Sequence, residues 1–144
     1  MLRKNMKTNM ETKKIALIAT ALLSLSIINS SGQDYSAYYV ARLSAQDHIS
    51  SNGAKLSDVA SILRQDRANY HKFKKRDADD QTDDFFTSAK NRELIESYFN
   101  NVYSGDPMSA KDKQAILSGT PLVRVSLVDG INNEKFLSVE ILSR

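Results

Sequence analysis

Residues 123–142 read VRVSLVDGINNEKFLSVEIL. Val123, Val125 and Leu127 alternate with Arg124, Ser126 and Val128; Leu137, Val139 and Ile141 alternate with Ser138, Glu140 and Leu142. A period of two places successive side chains on opposite faces of a strand. The run from Asp129 to Lys135 is rich in turn formers, so the two segments predict an antiparallel hairpin. A lone hairpin is marginal in water and needs a layer packed on its apolar face. This stretch therefore sets the fold class as α+β.

The segments before it read as helices. Asp34 or Ser36 caps a helix to about Ser51, with Asn52-Gly53 as its stop, and Ser57 caps a second to about Phe73. The short link between them predicts an N-terminal helical hairpin. Residues 72–84 are polar throughout and read as a solvated loop. Phe85-Phe86 form a lead-in turn, and Ser88 caps a third helix through Val102 with Leu94, Ile95, Tyr98 and Phe99 on its apolar face. Ser104-Gly105-Asp106-Pro107 is a break. A capping-box variant from Ser109 to Asp112 opens a short fourth helix ended by Gly119. The expectation is about four helices followed by a two-stranded C-terminal hairpin.

Working outward, the N-terminus has the order of a bacterial export signal. Lys13-Lys14 precede the apolar run Ile15–Ile28, and small residues follow up to Gly32. The run is short for a membrane span, which needs about 20 apolar residues. This predicts a signal peptide over 1–32, cleaved near Gly32/Gln33, and one exported domain over 33–144, periplasmic or secreted, with no stable membrane insertion after cleavage. Met6 and Met10 offer later starts.

The charge divides at the same point. Residues 1–32 carry five basic residues and one acidic; residues 33–144 carry fifteen basic and sixteen acidic. The basic excess thus belongs to the signal segment, which removes the electrostatic case for a nucleic-acid partner. The chain has no cysteine, which excludes disulfides, thiolate metal sites and cysteine nucleophiles. Its five glycines are isolated, so no phosphate-binding loop exists. No metal site, cofactor site or catalytic residue is assigned. Residues 77–88 fail as a calcium loop, because Thr82 stands where glycine is needed and Ser88 where the bidentate glutamate is needed.

Candidate binding residues come from the two expected helices. Asp66 falls inside the apolar stripe of the second, and Arg42 in that of the first beside Tyr35, Tyr38 and Tyr39. Facing stripes predict an Arg42–Asp66 ion pair between helices, or a polar pocket with Tyr70 near it. Arg67 and His71 are i, i+4 neighbours sharing a flank, and His48 lies near the first helix's end. A His48–Asp66 or His71–Asp pair has the form of a base and its orienter, but no serine stands in a recognisable nucleophile elbow. Lys72, Lys74, Lys75 and Arg76 surround Phe73 and form a candidate site for anionic polymers, with the acids after Arg76 offsetting their field. The functional expectation is a small exported binding protein, an inhibitor or immunity-type partner of an envelope or secreted protein. The alternative is an envelope hydrolase or small-ligand-binding protein with a pocket around Asp66, Arg67 and His71.

Overall fold

The computed structural model describes residues 35–101 and 108–144. The expected signal segment with its cleavage site, and the expected break at Ser104–Pro107, lie outside the described residues. Three α-helices and a three-stranded antiparallel sheet are described: β1 (Tyr35–Arg42), α1 (Val59–Ala68), α2 (Ala89–Phe99), α3 (Ala110–Ser118), β2 (Leu122–Asp129) and β3 (Lys135–Ser143).

The C-terminal hairpin forms as its period demands, with Val123↔Ile141, Val125↔Val139 and Leu127↔Leu137 opposite one another. The first segment departs from expectation. Residues 35–42 are a strand, not a helix, and pair with β2 as Ala37↔Leu127, Tyr39↔Val125 and Ala41↔Val123. Its sequence fits both periods: 35, 38, 39 and 42 share a helix face, while 37, 39 and 41 share a strand face. The strand wins because tyrosine and valine suit a pleated half-buried surface, and because β2 otherwise exposes an unpaired edge. The rest of the expected first helix is a 3-10 turn, Ala45–His48, followed by a tight turn at Ser50–Gly53. Gly53 takes φ +87°, so its role in that turn rests on left-handed backbone. There is accordingly no helical hairpin.

The remaining helices form close to where their caps place them. Asp58, one residue after Ser57, caps α1 by accepting from Ser61 N; Ser88 caps α2 through Asn91 N, and Ser109 caps α3 through Asp112 N. A π-type turn, Asn69–Phe73, continues α1 and stops at Lys74, which adopts left-handed backbone (φ 57°, ψ 28°). The rows Ala37–Leu127–Leu137, Tyr39–Val125–Val139 and Ala41–Val123–Ile141 form the inner face of the sheet. Ile62 and Leu63 of α1, Ile95 and Phe99 of α2, Ile116 of α3 and Phe86 complete that core. None of the described helices is long and apolar enough to cross a membrane.

Residues 77–83 are not a solvated loop but a strap across the end of β1. Asp80 accepts from Arg42 N (2.9 Å) and Asp77 N (2.7 Å), and Gln81 N donates to Val40 O (2.8 Å). One aspartate thus anchors the strap to the strand and tightens its own turn.

Candidate functional site

Asp66 is buried, as its place in the apolar stripe predicts, but its partner is Arg67 and not Arg42. Arg67 is 0% exposed, Asp66 is 1% exposed, and Arg67 Nε donates to Asp66 Oδ2 at 2.8 Å. Arg42 sits at the end of β1 and pairs with Asp79 at 3.0 Å, with Nη1 on Thr120 O at 3.1 Å. The expected Arg42–Asp66 pair required two facing helices; with residues 35–42 in the sheet, that geometry is gone.

Arg67 is the hub of a buried polar brace. Its Nη1 donates to Asp83 Oδ2 (3.1 Å) and Gln81 O (3.0 Å). Its guanidinium lies 3.8 Å from the centre of the Tyr39 ring and 4.8 Å from that of Tyr70, the planar stacking that arginine favours. His71 Nε2 lies 2.9 Å from the same Asp83 oxygen, so Arg67 and His71 do share a flank and its carboxylate. The other oxygen of Asp83 accepts from Phe86 N at 2.5 Å, which fixes the lead-in to α2. The brace therefore joins α1, β1, the strap and the start of α2.

A second knot flanks it. Asp47 accepts from Ser44 N (2.9 Å), from the Ser44 hydroxyl (3.2 Å) and from Asn69 Nδ2 (2.8 Å). His48 places Nδ1 2.9 Å from Ser44 O and Nε2 2.8 Å from Ile116 O, tying the 3-10 turn to α3.

Burial dominates the electrostatics of the brace. It raises the Asp66 carboxyl to about 7, against the attraction of Arg67, and also raises Asp47 and the Tyr39 hydroxyl. Burial works against the charge of Arg67 as well, but Asp66, Tyr39 and Asp83 outweigh it and raise its pKa. Arg67 Nη2 and the Tyr39 hydroxyl have no hydrogen-bond partner among the described residues.

This arrangement is suited to holding elements together. Asp66, Arg67 and Tyr39 lie inside the fold and line none of four surface cavities of about 260–470 Å³. The expected pocket around Asp66, Arg67 and His71 is a packed junction. Sequence reasoning missed Asp83 and Asp47, which carry as much of the network as Asp66. Their signal was the offset of each from its neighbour: Asp83 three residues before Phe86, and Asp47 three after Ser44. No group of three histidine or acidic side chains among the described residues converges to hold a metal ion.

Two open surfaces remain. The outer face of the sheet carries the row Tyr38–Ser126–Ser138 beside Val40–Arg124–Glu140, with Arg124 and Glu140 paired at 3.0 Å. Tyr38 is 61% exposed there, at a shallow cavity of about 320 Å³. The other surface surrounds Phe73, where Lys72, Lys74, Lys75 and Arg76 are all exposed. Tyr70 is half-buried, with Arg67 over its ring and Arg76 5.8 Å from the ring centre. No family model matches this chain, and no curated protein or solved structure matches it either.

Proposed function

We propose that this chain is an exported, non-catalytic binding module that takes an extended segment of a protein partner along the open half of β1. The observation that carries this is the asymmetry of that edge. At Val40 and Arg42 the strap occupies the outward carbonyl and amide. At Ser36 and Tyr38 no such backbone bond is made among the described residues. Tyr38 has the same parity as Val40 and Arg42 in the regular part of the ladder, so its amide and carbonyl also point away from β2; the register shifts only beyond it, between Tyr35 and Ala37.

The open half, Tyr35–Tyr39, holds neither proline nor a charged side chain; the one edge-blunting feature in it is the register shift between Tyr35 and Ala37, which leaves the stretch around Tyr38 regular. An added strand would continue the sheet and lay its side chains beside Tyr38, an amphipathic residue type enriched in interfaces. Export is supported by the order of Lys13-Lys14, the apolar run to Ile28 and the small residues ending at Gly32. The hydrolase alternative loses its support, since the residues proposed for its pocket are absorbed in the buried brace.

The test is capture from envelope and secreted extracts of the producing cells, with wild type beside Tyr38→Pro. Proline removes the outward amide without touching the β1–β2 ladder. The expected result is one stoichiometric partner retained by wild type and lost by Tyr38→Pro, with closely similar melting curves. Tyr38→Ser, which keeps the amide, retains the partner with weaker affinity. Equal capture by wild type and the proline variant, or no partner for folded wild type, rejects the proposal.

A further inference from the structure

The surface around Phe73 is the most strongly charged open surface among the described residues. Two cavities, of about 470 and 260 Å³, share Ser50, Ser51, Gln65 and Phe73. They are the two ends of one groove between the Ser50–Gly53 turn and the exit of α1. Phe73 is 39% exposed and Ile49 41% exposed, and both line the smaller cavity.

The charge around this groove is one-sided. Arg64, Lys72 and Lys75 line it, with Lys74 and Arg76 adjacent. None of these five cations has an acidic partner among the described residues. From sequence alone the acids after Arg76 offset this field. In the fold three of these five acids are engaged away from the groove, Asp79 with Arg42, Asp80 with two backbone amides and Asp83 with Arg67 and His71; Asp77 accepts from Gln46 at the groove's end, and Asp84 is exposed. Glu93 is the acidic residue on the groove wall.

The groove therefore offers cations, one partly exposed aromatic ring with Lys72 Nζ 5.0 Å from its centre on one face, and hydroxyl and amide groups from Ser50, Ser51, Asn52 and Gln65. We infer that it binds an acidic saccharide, with Arg64, Lys72 and Lys75 facing its anionic groups, Phe73 beneath a sugar ring, and the hydroxyl and amide side chains on its hydroxyls. A single-stranded nucleic acid would call for successive aromatic platforms, and the groove has one. An acidic peptide uses the same cations but neither the ring nor the density of hydroxyl partners. This site is independent of the β1 edge.

The probes are a galacturonate hexamer (carboxylate), a heparin-derived hexasaccharide (sulfate), a glutamate hexamer and an oligonucleotide of matched charge. Binding is followed by calorimetry and by amide shifts on the full chain. The expected result is binding of at least one saccharide, with shifts at Ser50–Asn52, Gln65 and Phe73 and weakening as salt is added. Lys72→Gln/Lys75→Gln weakens it by about fivefold, as for loss of exposed charge pairs. Phe73→Ser, which leaves every charge in place, weakens it by a similar factor at constant salt. The inference is overturned if folded wild type binds neither saccharide, or if the glutamate hexamer or oligonucleotide binds as tightly. It is equally overturned if Phe73→Ser binds like wild type, or if the shifts fall on the sheet face.

Discussion

Arg67 shows how much one residue holds. Its guanidinium pairs with two buried carboxylates and lies over two tyrosine rings. Removing it leaves Asp66 and Asp83 facing each other's field without a cation. Arg67→Ala is therefore expected to destabilise the fold by about 3–5 kcal/mol in urea titration. Arg67→Lys recovers little of this, because an ammonium neither forks to two acceptors nor stacks on a ring. A change near zero for the alanine variant removes the brace from the account. The Asp66 carboxyl gives a second prediction. Its folded value near 7 lies above the ordinary carboxyl value of 3.8, so between about pH 4 and 7 the folded chain holds a proton that the unfolded chain lacks. The stability gained from that proton is fully present near pH 4 and lost as pH rises to 7. Asp66→Asn cannot titrate, so wild type gains relative to it on acidification from pH 7 to 5, by at most about 1.4 kcal/mol per unit. Parallel stability curves for the two proteins exclude the shift. At this scale the sequence made Asp66 legible, as a charge in an apolar stripe. It could not pair Asp66 with Arg67: neighbours in a helix do not normally face one another, and here they meet because both are forced inward.

Among the elements, those with caps were legible and the one decided by a neighbour was not. Ser88, Ser109 and Gly119 mark helix ends by local chemistry, and those ends form as read. β1 is decided by the edge of β2, which lies far along the chain, so its helical period was misleading. The strap was misread for the same reason: its aspartates look solvated until Arg42, Arg67 and the β1 backbone are brought to them. Asp80→Ala is expected to cost about 1–3 kcal/mol, since the Arg42 and Asp77 amides both lose their acceptor. Hydrogen exchange checks it directly: the Arg42 amide should lose protection while those of Tyr39 and Ala41, bonded into the sheet, keep theirs. Unchanged protection at Arg42 means another acceptor serves it. Lys74 closes α1 in left-handed backbone, a conformation unfavourable for a residue with a Cβ by about 1–2 kcal/mol. Glycine removes that cost but loses more freedom on folding, so Lys74→Gly should stabilise by about 0.5–1 kcal/mol. A lower melting temperature for the glycine variant shows that the lysine stem packs on something that repays the strain.

For the described domain, the hydrophobic layer is single and shared. The inner face of the sheet meets Ile62, Leu63, Ile95, Phe99 and Ile116 from all three helices, so neither layer retains a buried face without the other. The first strand of the sheet and its partner β2 are also far apart along the chain, with all three described α-helices between them. Opening β1 from β2 therefore exposes the face on which the helices rest. Helix loss and sheet loss should then be one event. Tyr39 is a natural reporter of that event, because it is buried on the sheet, stacked on Arg67 of α1 and edge-on to Phe86 at the entry to α2 (5.8 Å, 83°). With no tryptophan in the chain, near-ultraviolet dichroism is dominated by tyrosine. Urea unfolding followed there and at 222 nm should give coincident midpoints, with a slope of about 1–2 kcal/mol/M for a domain of this size. A sheet signal that survives after the helical signal is gone would show that the three strands hold together alone. In that case the brace at Arg67, which spans both layers, could not be what couples them.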